Sequence, residues 1–265
     1  MFGSFMTNAW IVATMVAITA GIVGFFVVVR RAAFAAHVLP LGAFPGAAAA
    51  SLLGVNELLG IVAFSALGVL GISQLQRWER REVATALWLA VALALGTLFL
   101  NMTRRYSQGV YALLFGEVFG IRSALIAPVA VLGAIAIAVT LLLFRPLLLD
   151  SLSPELGEAA GTGRGWIEFA FLAVLALCTA TALPVVGALM VFSLMVGPAS
   201  AARFLTDRPL LALTLSVVLS LATVWSAIAL SYLSNWPVGF FVGALGGVFY
   251  AAGRLRHRGG PAPAR

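Results

Sequence analysis

Seven stretches of this chain, 9–29, 38–56, 58–76, 83–103, 123–144, 169–202 and 209–253, contain no charged side chain. A transmembrane helix needs about 20 apolar residues, rising 1.5 Å each, to cross a hydrocarbon core of about 30 Å. The first five runs fit one crossing each. The last two are too long for one straight helix. Residues 169–202 divide near Pro184 and Gly187, and residues 209–253 divide at Ser231-Tyr-Leu-Ser-Asn-Trp-Pro237. Nine crossings are therefore predicted, or eight if one proline-interrupted segment is re-entrant. Composition agrees: 62% of residues are hydrophobic and 9% charged, whereas soluble domains are about 25% charged. A soluble enzyme, a disordered chain and a collagen-like chain are excluded. The expected fold class is all-α, a polytopic membrane helix bundle of 8–9 transmembrane helices. One membrane domain covers 1–253, and 254–265 reads as a disordered cytoplasmic tail rich in Gly and Pro. The first run has no basic segment before it, so it reads as a membrane helix rather than a cleaved signal.

All 16 basic residues are arginine. With nine crossings, Arg104, Arg105 and Arg122 fall on one side and every other arginine on the opposite side. The richer side is cytoplasmic by the positive-inside rule. The N-terminus is then outside and the C-terminus inside. The net charge of +7 follows from topology, and no nucleic-acid partner is implied. The single cysteine, Cys178, excludes an intrachain disulfide. No loop is large enough for a nucleotide-binding domain. A phosphate-binding Gly-x-x-x-x-Gly-Lys-Ser/Thr loop needs a lysine, and this chain has none. Any ATP-driven function requires ATP on a partner subunit.

Ionisable groups at membrane depth are costly and are functional candidates by default. His37 enters the second span. As neutral imidazole it can ligate a divalent metal or carry a proton; alternatively it bonds a backbone carbonyl freed by Pro40. Pro40 and Pro45 are expected to break the helix, either to line a substrate path or as a simple kink. Glu82 starts the fourth span and Glu168 the sixth, where a helix N-terminus favours a carboxylate. Glu57 and Glu117 fall on the outer side as solvated carboxylates or partner contacts.

Five blocks in register resemble the permeases of bacterial ABC importers for zinc, manganese and iron. Arg30-Arg-Ala-Ala-Phe-Ala-Ala-His-Val-Leu-Pro-Leu-Gly-Ala-Phe-Pro-Gly46 is similar to the family's Arg-Arg-x-Ala-Phe-x-Gly-Asp-Ala-Leu-Ser-His-Ala-x-Leu-Pro-Gly. The others are Leu114-Phe-Gly-Glu-Val-Phe-Gly-Ile121, Ser151-Leu-Ser-Pro-Glu-Leu-Gly-Glu-Ala-Ala-Gly161, 186–203 around Gly197-Pro-Ala199, and Ser231-Tyr-Leu-Ser-Asn-Trp-Pro-Val-Gly239. The resemblance implies a type II ABC importer permease-like fold in a bacterial plasma membrane. It also implies a homodimeric or pseudo-dimeric pore, a cytoplasmic ABC ATPase on each half and an extracytoplasmic solute-binding protein. A divalent metal would be the transported substrate, with no permanently bound cofactor and no enzyme activity in this chain. The ATPase-docking loop maps to Pro198, Arg203, Asp207 and Arg208. The metal path maps to His37, Pro40, Pro45 and Glu82. Where the family carries Asp this chain has His37, and where it carries His one turn on this chain has Leu41. Glu82 aligns with a second family Asp. Two copies of His37 would form a nitrogen-only site suited to zinc, nickel or copper rather than manganese. Two other classes stay open at this point: a proton-coupled carrier using His37 as relay, and a non-transporting membrane scaffold.

Overall fold

The computed structural model describes residues 4–75, 81–102, 116, 118–153 and 163–258. Ten α-helices account for nearly all of them: α1 Ser4–Val29, α2 Ala33–Leu53, α3 Glu57–Leu75, α4 Arg81–Met102, α5 Ile126–Leu142, α6 Phe144–Leu152, α7 Arg164–Val186, α8 Ala188–Leu205, α9 Pro209–Ser234 and α10 Val238–Arg258. Lipid offers backbone amides no partner, so an apolar run must satisfy its hydrogen bonds internally, as a helix does. Among the described residues eight helices are long and apolar enough to cross a membrane, and Met190–Leu205 is a shorter apolar helix.

The two divisions of the long runs fall where expected. Gly187, at φ 84°, separates α7 from α8. Asn235 ends α9 at φ 57°, in the left-handed region, with its N–H bonded to Ser231 O at 2.9 Å. Two expectations need correction. Pro40 and Pro45 do not break α2, which is continuous from Ala33 to Leu53. Each proline removes one N–H, but both rings are buried among neighbouring helices that hold the segment helical. Between α5 and α7 the chain forms α6, whose Leu147 is fully buried against the bundle. The expected tail is helical as far as Arg258, the end of α10; residues 259–265 lie outside the described residues.

The core lies around α1 and α7. Their most apolar windows are 72% and 78% buried, against 22% for α5 and α10. Phe25, Phe26, Phe171, Leu172, Leu175 and Met195 are fully buried there. Leu59, Leu67, Leu70, Val91 and Val131 are exposed on the outer helices, as expected of a lipid-facing surface. Association of helices in lipid relies on close packing and interhelical hydrogen bonds. A Cβ on Gly24 would lie 2.1 Å from Met195 O, so α1 and α8 touch backbone to backbone. Ser216 Oγ donates to Gly21 O at 2.7 Å, and Trp225 Nε1 donates to Thr14 Oγ1 at 3.0 Å. These two bonds set α1 and α9 antiparallel.

Candidate functional site

His37 sits one turn into α2, half-buried. Its ring meets Phe192 of α8 edge-on, with centroids 5.2 Å apart. Its Nδ1 is buried and has no hydrogen-bond partner. The alternative in which this nitrogen serves a carbonyl freed by Pro40 is therefore not what the structure holds. An orphaned buried nitrogen is costly, and it leaves one lone pair or one proton for an incoming group. Leu41, one turn on, adds no ligand.

Glu82 lies in the first turn of α4 and is exposed, so helix capping and solvent account for it. The structure shows no ion pair or hydrogen bond joining it to His37. Among the described residues no group of three or more His, Cys, Asp or Glu side chains converges as a metal site. One chain therefore presents a single imidazole, flanked by Pro40 and Pro45, instead of a preformed cage. Between α2, α3 and α4 the indole of Trp88 occupies the groove. Cβ atoms on Gly42, Gly68 or Gly71 would lie 2.7, 3.0 and 3.1 Å from that ring, and Nε1 is also buried without a partner.

The proposed docking segment divides in two. Pro198 is buried inside α8. Arg203 is half-buried in the last turn of α8, and Asp207 and Arg208 are exposed in the turn before α9. Arg208 N–H donates to Thr206 Oγ1 at 3.2 Å, which shapes that turn. The docking surface this segment can offer is thus 203–208, without Pro198. Glu117 and residues 154–161 of the third block lie outside the described residues.

Sequence reasoning missed the principal charged cluster. Arg30 follows α1, and its side chain is only 5% exposed. Nη1 meets Asp150 Oδ2 of α6 at 2.8 Å, and Nη2 meets Glu168 Oε2 of α7 at 3.1 Å. Nη1 also donates to Leu147 O at 3.4 Å, and Cζ stands 5.0 Å from the Phe171 ring centroid. The turn that aims Arg30 inward is a left-handed helix ending. Arg31 takes φ 55°, Arg31 N–H bonds Val28 O, and Ala32 N–H bonds Val27 O. Glu168 is therefore an interhelical ligand of Arg30, beyond the capping role expected of it. The available signal was scarcity: the chain holds only nine acidic residues, and Glu168 stands at the edge of the apolar run 169–202.

The eight helices long and apolar enough to cross a membrane define a multi-pass membrane protein. Residues 3–253 match the profile of the ABC 3 transport family, and the chain belongs to that family. It is a multi-pass membrane permease of the ABC importer class, which replaces the carrier and scaffold readings. The chain is 27% identical over 228 residues to the manganese transport system membrane protein MntC of Listeria monocytogenes, covering 85% of this chain and 79% of that protein. It is 25% identical over 248 residues to the manganese import system permease protein ScaB of Streptococcus parasanguinis, covering 93% and 88%. The solved structure of PsaBC from Streptococcus pneumoniae in complex with Fab superposes with a TM-score of 0.85 at 22% identity, covering 95% of this chain and 91% of that one.

Proposed function

We propose that this chain is the pore subunit through which a divalent transition metal enters a bacterial cell. Two copies would form the pore, each resting on a cytoplasmic ABC ATPase, with an extracytoplasmic solute-binding protein delivering the ion. The arginine distribution supports an outer N-terminus and a cytoplasmic C-terminus. The relatives named for manganese transport support a metal as cargo. The observation that carries the site is the orphaned buried Nδ1 of His37. A single imidazole per chain, with no group of three metal-ligating side chains around it among the described residues, suits zinc or another nitrogen-preferring ion better than manganese. The ion would pass through a loose site, because conduction needs binding weak enough for release.

Uptake of radiolabelled zinc and manganese in cells expressing His37→Ala tests this reading. The variant is expected to lose transport by at least about tenfold, the loss that even a supporting group of a metal site brings. Unchanged uptake of both ions would remove His37 from the path. A separate experiment tests the docking turn. The tagged permease, expressed with its ATPase, should retain that subunit through affinity purification. Arg203→Glu with Asp207→Arg is expected to release it while leaving the permease monodisperse. Retention of the ATPase by that double variant would place the docking surface elsewhere.

A further inference from the structure

The buried cluster of Arg30, Asp150 and Glu168 lies at the same end of the bundle as the docking turn. Thr14 pairs with Trp225, and Gly21 with Ser216, along antiparallel α1 and α9. Continuing that register brings Arg30 level with Arg208, at the start of α9. The same helix α1 touches α8 backbone to backbone at Gly24 and Met195. Helix α1 is thus seated against both helices that flank the turn. At its end Arg30 holds α6 through Asp150 and Leu147, and α7 through Glu168 and Phe171.

We propose that Arg30, Asp150 and Glu168 are positioning residues that carry movement of the α8–α9 turn to α6 and α7. The inference rests on the reading that this turn docks on an ATPase. Three features support transmission rather than mere adhesion. The bonds are short and largely dry, with Asp150 and Glu168 side chains 9% and 11% exposed, so water does not slacken them. The guanidinium is shared by two different helices, so displacement of α1 pulls on both. Helix α6 has few other anchors: Leu147 is its one fully buried side chain, Phe144 meets Phe26 of α1 edge-on at 5.5 Å, and Arg145 and Leu152 are exposed. Both the ion pair and the ring contact tie this short helix to the end of α1.

The experiment uses the purified permease–ATPase complex in lipid nanodiscs. Backbone hydrogen exchange is followed at 144–152, 164–170 and 203–209, with and without ATP and vanadate. In the unmodified complex all three regions are expected to change on nucleotide binding. In Asp150→Asn and in Glu168→Gln the response at 203–209 should persist. The response at 144–152 should shrink by at least about fivefold in Asp150→Asn, the lower range of coupling between sites, and that at 164–170 likewise in Glu168→Gln. Asp150→Glu, which keeps the charge, should recover most of the response. If the neutral variants do not accumulate, Glu168→Asp, whose shorter side chain cannot reach Arg30 from the same backbone position, is compared with the unmodified complex, and a weakened response at 164–170 is expected. Equal responses in variants and parent would overturn the proposal and leave docking intact. So would a parent complex in which only 203–209 responds. Failure of any ATPase to bind the parent would overturn the docking reading and this inference with it.

Discussion

Arg30→Ala is expected to leave little folded protein, seen as loss of the monodisperse peak in detergent and of a cooperative thermal transition. The substitution strands Asp150 and takes the Arg30 guanidinium from Glu168, at a site where their side chains are 9% and 11% exposed. Removing one partner of a buried ion pair costs about 3–5 kcal/mol, because the remaining charge keeps its desolvation penalty. Folded domains are stable by only about 5–15 kcal/mol. The lost contacts with Leu147 O and the Phe171 ring add to the deficit. The physical account makes a second demand. A buried charged cluster can be replaced by well-packed apolar groups at little cost or with a gain. Arg30→Met combined with Asp150→Leu and Glu168→Leu should therefore accumulate better than Arg30→Ala alone. If the triple variant were the worse of the two, the stranded charge would not be the cause.

Gly46→Leu is expected to be as damaging, for a steric reason. A Cβ on Gly46 would lie 2.1 Å from Gly60 O and 2.6 Å from Phe64 Cβ, and a Cβ on Gly60 would lie 2.1 Å from Gly46 O. The contact is reciprocal and mostly backbone, so no side chain can rotate away. Overpacking a tight core costs about 1–3 kcal/mol even where side chains absorb it; here α2 and α3 must separate. That would disturb the groove between α2, α3 and α4 that Trp88 occupies. Gly247→Ala is the control. A Cβ there meets nothing within 4 Å, and replacing a helical glycine by alanine where the backbone allows it stabilises by about 0.4–1 kcal/mol. Melting temperatures in detergent should therefore fall sharply for Gly46→Leu and hold or rise for Gly247→Ala. A stable Gly46→Leu protein would contradict the α2–α3 packing.

The division of the chain into helices was legible because hydropathy and charge act locally. Gly187 and Asn235 sit at breaks expected from Pro184–Gly187 and Ser231–Pro237. The prolines of α2 misled for the opposite reason: whether a proline breaks a membrane helix depends on what its neighbours offer the freed carbonyls. Helix α6 escaped notice because nine residues are too few to stand out as a span, and its buried face is defined by partners distant in sequence. His37 was legible as a histidine at membrane depth, but its orphaned Nδ1 was not. Pro198 read as part of a loop from motif position alone, and α8 runs through it.

By itself, then, the sequence determined the membrane as solvent and the approximate ends of the apolar spans. Those follow from transfer energies summed over consecutive residues. Only the tertiary structure decided what Arg30 does. A count of charges reads it as one more topology signal. Folding brings residues from α6 and α7 around it, and in a dry site geometry rather than number sets the worth of a charge. The same holds for the glycines, which in sequence are one small residue among many. Gly46 faces the Gly60 carbonyl and Gly247 faces open space, and that difference exists only once the helices have packed.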